Sequence, residues 1–344
     1  MNNGKEMKDF RPYFQKQTNH EEVVGRIYWS SREQYGVRIS EKLYQATITG
    51  RFRHNNLERS AYPAIGDWVV VDLYDQDEKA RISKVLERET VLSRNKAGES
   101  NDEQLIAANV NTVFIVTALT MEFNLRRIER YVLQVYESGA KPVIVCTKRD
   151  LCTDTKEKTA LVEGVAPGVP VYSVNSLTGD GIDELTLELK CGETVAMIGS
   201  SGVGKSTLIN RLIGKEEMET GPVRQEDDRG RHTTTHRELF ALDNGAFIID
   251  TPGMRELQLW GQEVGVDKAF EDIESLSLQC KFRDCSHDQE PGCAIQAAIQ
   301  NGELEADRLK SYFKLKRELK RLDLKEKYGT HRTNRILHSP KKNK

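Results

Sequence analysis

TVAMIGSSGVGKSTLINRLIG, residues 194–214, carries an apolar run into a helical one, and the junction GSSGVGKS (199–206) fits G-x-x-x-x-G-K-[ST]. Glycines at this spacing permit a tight turn that aims backbone N–H groups and a helix N-terminus at phosphate. Gly199, Ser200, Ser201, Gly202, Val203 and Gly204 are therefore read as a phosphate loop, with Thr207 in the first turn behind it. Lys205 is placed on the β- and γ-phosphates, and the Ser206 hydroxyl on the Mg²⁺ that accompanies the nucleotide. The surroundings agree with a parallel, doubly wound sheet. VNTVFIV (110–116), PVIVCT (142–147) and PVYSV (170–174) read as strands, LRRIERYVLQVYESG (125–139) and GIDELTLEL (181–189) as helices. RELFAL, Asp243-Asn244-Gly245 and AFIID read as a hairpin.

Downstream of the loop, DTPG (250–253) ends an apolar strand. Asp250 is placed in the magnesium shell, and the Gly253 N–H on the γ-phosphate. Between the two lies GRHTTTH (230–236), from which a Thr hydroxyl is expected to complete that shell when the nucleoside triphosphate is bound. Thr234 is preferred to Thr233; a Thr-rich turn is the plain alternative. A segment held only by γ-phosphate and Mg²⁺ loosens after hydrolysis and so acts as a switch.

Upstream, TKRD (147–150) follows the strand PVIVC and resembles the guanine motif N-K-x-D, with Thr147 in the Asn place. The Asp150 carboxylate accepts from N1–H and the 2-amino group of guanine. Adenine has an acceptor at N1 and no 2-amino group, and such mismatches discriminate by about 10⁴-fold or more. That argues against an ATP-dependent enzyme. Lys148 is predicted to pack its stem over the base, next to Arg149. Thr147 is shorter than Asn, which predicts a weaker or water-mediated link to base and phosphate loop. VNSLTG (174–179) resembles a second guanine-contact loop, with the Ser176 N–H toward O6. A helix cap by Ser176 or Thr178 accounts equally for that segment.

Residue 254, directly after DTPG, is Met, and an apolar side chain cannot orient water. Slow intrinsic hydrolysis is expected, with a partner completing the site. His232 is the in-chain candidate for positioning the water; a switch histidine bonded to backbone or RNA is the alternative.

From Glu22 to about Glu89 the pattern is all-β, with short alternating runs, VVGRIYW (23–29), YQATITGRFR (44–53) and DWVVVDLY (67–74), punctuated by Gly, Pro and Asn. That pattern predicts a small barrel of OB type. SRNKAGESNDEQ (93–104) reads as a linker.

Cys280-x4-Cys285-x-His287-x5-Cys293 supplies three thiolates and one imidazole within 14 residues. Four such ligands with no open position suit one structural, tetrahedral Zn²⁺. Beyond it, Leu309, Tyr312, Phe313, Leu319 and Leu322 keep helical spacing. Residues 308–344 hold 14 Lys/Arg against 3 Asp/Glu in a chain of 344 residues and net charge −2. Such asymmetry suits a polyanion; a solvated surface helix with a ragged end accounts for the charge alone. No run of 18 apolar residues and no apolar leader occur, so neither a membrane span nor secretion is expected.

The motif order is permuted: TKRD and VNSL precede the phosphate loop, GRHTTT and DTPG follow it. Together with GSSGVGKST and CKFRDCSHDQEPGC, that order resembles the circularly permuted, ribosome small-subunit-dependent GTPase A family over nearly the whole chain. The resemblance implies a multi-domain fold, with an N-terminal all-β OB-type barrel, a central α/β P-loop GTPase domain and a C-terminal α-helical zinc-binding module. The segments expected are a flexible arm (1–20), barrel (21–92), GTPase domain (105–262), and zinc module with basic helix (263–344). It implies a cytoplasmic monomer that binds GTP and GDP, the small (30S) ribosomal subunit and its rRNA. The expected activity is GTP hydrolysis stimulated by that subunit, in its late maturation. The competing reading is a nucleotide-gated RNA-binding scaffold whose hydrolysis is incidental.

Overall fold

The computed structural model describes residues 7–31, 33–56, 58–74, 79–95, 103–121, 123–214, 237–249, 264–288 and 290–338. Contacts divide the chain into two compact units: 1–123 with 138–160 and 169–258, and 124–137 with 161–168 and 259–344.

The first unit opens with a short helix, α1 (Pro12–Gln15), followed by strands β1 (Val23–Ser31), β2 (Gln34–Ile39) and β3 (Lys42–Ile48). Next come helix α2 (Gly50–Asn55) and strands β4 (Trp68–Tyr74) and β5 (Lys79–Val85). The strand order β1-β2-β3-β5-β4 is closed by β4 pairing with β1, giving the five-stranded barrel. Alternation builds its interior: Val24, Val37, Ala46, Val69, Ala80 and Ile82 are all buried. The residues expected to form a loose arm are packed from residue 7 onward, because Phe10 and Phe14 bury their rings against Trp68. The run 44–53 is not one strand either. Thr49 accepts from the Phe52 N–H at 3.1 Å, capping α2, and buried Phe52 anchors it.

The expected linker is flanked by structure. β6 (Val91–Asn95) and β7 (Glu103–Ala108) pair as an antiparallel hairpin. Then follow β8 (Thr112–Ala118), helix α3 (Leu125–Glu137), β9 (Lys141–Thr147), helix α4 (Thr155–Val165) and β10 (Val171–Ser173). Helix α5 (Ile182–Thr186), β11 (Thr194–Ile198), helix α6 (Lys205–Ile213), β12 (Arg237–Ala241) and β13 (Phe247–Ile249) complete this part. The sheet order is β10-β9-β8-β11-β13-β12, parallel except for β12. From β8 the chain advances toward β10, and from β11 toward β13. The boundary between β8 and β11 is thus the switch point where open α/β sheets bind ligands, at the carboxyl ends of the strands. Phe114, Val116, Val143, Met197 and Leu208 form one core of this sheet.

The second unit is helical. It holds α3 and the end of α4 with α7 (Val264–Ala269), α8 (Glu271–Ser277), α9 (Ala294–Gln300) and α10 (Ala306–His338). Leu133, Phe270, Ile295, Leu309, Tyr312 and Leu319 share its core. Arg308, 3% exposed, grips both oxygens of Asp272 at 2.6 and 2.7 Å and donates to the Val165 and Ala269 carbonyls. The 33-residue α10 extends about 50 Å at the usual helical rise. Among the described residues no helix is long and apolar enough to cross a membrane.

Candidate nucleotide site and metal cluster

The phosphate loop leaves β11 and enters α6. Gly199, Gly202 and Gly204 have φ of +146°, +77° and +99°, which disfavour any residue with a Cβ. At Gly199 a Cβ would lie 2.2 Å from the Val116 carbonyl, so only glycine lets the loop pass this close to β8. The Lys205 ammonium lies over the loop and donates to the Gly199 and Ser200 carbonyls, each at 2.7 Å. Amides of a first helical turn have no intrahelical acceptor. The start of α6, with Lys205, Ser206 and Thr207, therefore presents donors and a cation to an anion.

The TKRD loop leaves β9 beside it. Thr147, 1% exposed, donates its hydroxyl to the Val203 carbonyl at 2.5 Å. The link from this loop to the phosphate loop is thus direct, where a weaker or water-mediated one was expected. Burial removes competing water, so a single hydroxyl bridges the gap. Lys148 has φ of +57° and starts a 3₁₀ turn, Arg149–Leu151, that sets Asp150 at the surface. The Arg149 guanidinium donates to the Ser173 carbonyl at 3.5 Å, reaching the next strand.

The third loop follows β10. Asn175, buried, accepts from the N–H groups of Leu177 and Thr178 at 2.9 and 3.3 Å. Asn175 therefore closes this turn, where a helix cap by Ser176 or Thr178 was the alternative to a guanine contact. Thr178 instead donates to Asp180 at 2.8 Å, and Arg211 of α6 clamps the Thr178 carbonyl at 2.7 Å. Ser176 lies in this loop, and its hydroxyl has no protein partner. The Asn175 turn was signalled by an Asn two residues before the amide it caps; the Arg211 clamp had no local signal. All three loops sit at the carboxyl ends of β11, β9 and β10. His232, Thr233, Thr234, Asp250, Gly253 and Met254 lie outside the described residues.

In the helical unit, ligand atoms of Cys280, Cys285, His287 and Cys293 all lie within 4.8 Å of one another. Cys280 Sγ is 3.5 Å from His287 Nδ1, and Cys293 Sγ is 3.7 Å from it. Burial opposes ionisation of the Cys280 thiol, but the amides of Ala294 and Ile295 and the neighbouring thiols outweigh it and lower its pKa. Burial and the two facing thiols push Cys285 up to about 11. Thiols this close compete for one negative charge, and a bound cation removes that competition. Four convergent N and S donors fit a closed metal site. The ligand loop is also stapled from outside. The Ser286 hydroxyl and the amides of Ser286 and Asp288 donate to Glu290 and hold its carboxyl down at about 2.

A family model described as RsgA GTPase matches residues 85–260. A Lactiplantibacillus plantarum protein named small ribosomal subunit biogenesis GTPase RsgA 2 is 46% identical over 298 residues, covering 87% of this chain and 84% of its own. An Opitutus terrae protein, named small ribosomal subunit biogenesis GTPase RsgA, is 48% identical over 282 residues, covering 79% and 77%. Among solved structures, YjeQ from Thermotoga maritima superposes with a TM-score of 0.65 at 28% identity, covering 86% of this chain and 98% of that one. YloQ, described as a circularly permuted GTPase, gives 0.62 at 25% identity, covering 88% and 96%.

Proposed function

The chain belongs to the RsgA GTPase family and is a GTP-hydrolysing enzyme, and from that premise we propose that it acts on the small ribosomal subunit during its maturation. GTP binds across the β8–β11 switch point. The phosphate loop from Gly199 to Gly204 cradles the triphosphate, with Lys205 on its outer phosphates. Asp150 reads the guanine edge, Lys148 and Arg149 flank the base, and the Ser176 N–H faces O6. Ser206 and Thr234 would hold Mg²⁺, with Asp250 supporting the magnesium shell. When bound, that ion neutralises charge shared by the β- and γ-oxygens. Gly253 contacts the γ-phosphate, and His232 positions the attacking water. With Met254 unable to orient water, the subunit completes the site and raises a slow intrinsic rate. One Zn²⁺ held by Cys280, Cys285, His287 and Cys293 braces the helical unit. The barrel, this unit and basic α10 offer surfaces to rRNA, working as a monomer in the cytoplasm.

The observation that carries this reading is the Thr147–Val203 bond, which joins the base-reading loop to the phosphate loop despite the reversed order of their motifs. Turnover of GTP with and without purified small subunits tests it. Stimulation is expected; equal rates would sink the subunit role. Base reading is tested separately by Asp150→Asn. The amide N–H meets the 2-carbonyl of xanthine, so preference should pass from GTP to XTP by about 10²-fold or more. Retained GTP preference removes Asp150 from the base.

A further inference from the structure

Arg26 lies in β1 and is 2% exposed, a buried cation outside both sites. Its guanidinium donates to three separate parts of the chain. Nη1 reaches Asp9 Oδ2 at 2.6 Å, Nη2 reaches Thr194 Oγ1 at 2.6 Å, and Nε points to the Gly66 carbonyl at 3.4 Å. The rings of Trp68 and Phe247 lie 5.7 and 5.0 Å from its central carbon. Asp9 precedes the barrel, Gly66 and Trp68 belong to it, and Thr194 and Phe247 belong to the GTPase sheet.

A buried ion pair is costly to desolvate and adds little stability over a well-packed apolar contact. The barrel does not need this one to close, since the β1–β4 backbone ladder closes it. What Arg26 adds is a link to particular strands. Thr194 opens β11 and pairs with Phe247, which opens β13. β11 runs into Gly199, and DTPG follows β13 in the sequence. The guanidinium therefore grips the entry ends of β11, whose exit carries the phosphate loop, and of its neighbour β13. The β1 backbone also pairs with β12, at Trp29–Glu238 and Ser30–Arg237, so barrel and GTPase sheet form one continuous sheet. Close-packed interiors of this kind compress little and transmit strain.

We infer that Arg26 is a positioning residue for GTP hydrolysis, coupling what the barrel binds to the phosphate site through Thr194 and Phe247. The inference rests on the reading that the small subunit stimulates turnover. Two variants of the full chain test it. Thr194→Val deletes the acceptor at nearly constant shape, and Arg26→Lys keeps the charge without the fork. In Thr194→Val the subunit-stimulated kcat should fall about tenfold, while KM for GTP, the unstimulated rate and subunit affinity stay within about twofold. Arg26→Lys should lose at least as much stimulation; if it does not fold, Asp9→Asn takes its place beside Thr194→Val. Full stimulation of Thr194→Val overturns the inference.

A wild type that subunits fail to stimulate overturns the proposed function instead, and hydrogen exchange then decides the coupling. Binding of a non-hydrolysable GTP analogue should slow exchange at Val24 and Val69 in the wild type, and not in Thr194→Val. Slowed exchange confined to the phosphate loop of the wild type overturns the coupling as well.

Discussion

The nucleotide site and the Cys/His cluster are built in opposite ways. The first draws on loops after β9, β10 and β11, far apart in sequence and each set by its own buried strand. The second draws on 14 consecutive residues, from Cys280 to Cys293, and the start of α9. Sheet order, not chain order, places the nucleotide loops. A chain that visits the strands in a different sequence still brings the same loops to one edge of the sheet. The metal cluster has no such freedom. Its geometry depends on short turns, on His287 held at φ +60°, and on whatever charge the thiols converge upon.

The largest break between the two follows from removing a metal ligand. Cys285→Ala, or chelation, should release the one equivalent of zinc proposed for the cluster and unfold the 280–293 loop with the start of α9. Structural zinc contributes on the order of 10 kcal/mol to such modules. GTP affinity of the strand-built site should survive; elemental analysis with nucleotide titration checks both halves. Retained order without metal would contradict this difference.

A smaller effect tests the strand-built site. Thr147→Val leaves the Val203 carbonyl without its buried donor, at a cost of about 1–3 kcal/mol. Weaker GTP binding with the fold intact is expected from titration calorimetry, and unchanged affinity would show the loops hold together without the bridge.

The smallest effect lies in the packing around the cluster. Glu274 accepts from Tyr312 at 2.7 Å and from Lys316 at 2.8 Å. Burial alone would raise its pKa, but these two donors lower it below the ordinary 4.5. A depressed carboxyl stabilises fully above its ordinary pKa and loses that contribution as pH falls through the depressed one. Glu274→Gln should therefore cost about 0.5 kcal/mol at neutral pH, measured by thermal unfolding, and the gap to wild type should close below pH 4.5. A gap that persists in acid would assign the effect to packing.

Much of this was legible from local pattern. The strand–loop–helix of residues 194–214, the barrel strands β1 and β4, the amphipathic α3 and the Cys/His spacing all stand where period and spacing put them. The misreadings have physical causes. Phe10 and Phe14 looked like part of a loose arm because their partner, Trp68, lies more than fifty residues away. Residues 93–104 looked like a linker because polarity hides a two-stranded pairing. The direct reach of Thr147 to the phosphate loop was missed because its acceptor, the Val203 carbonyl, has no signature in sequence.

By itself the amino-acid sequence determined which chemical groups are on offer: a lysine among glycines, a carboxylate after a strand, three thiols and an imidazole within 14 residues. These are properties of residue types at short spacing. Only the tertiary structure decided which groups meet. The Thr147–Val203 bond spans 56 positions and the Arg26–Thr194 bond spans 168. Contacts at that range follow from how strands pair and cores pack, which is a sum over many distant residues and leaves no mark on any one segment.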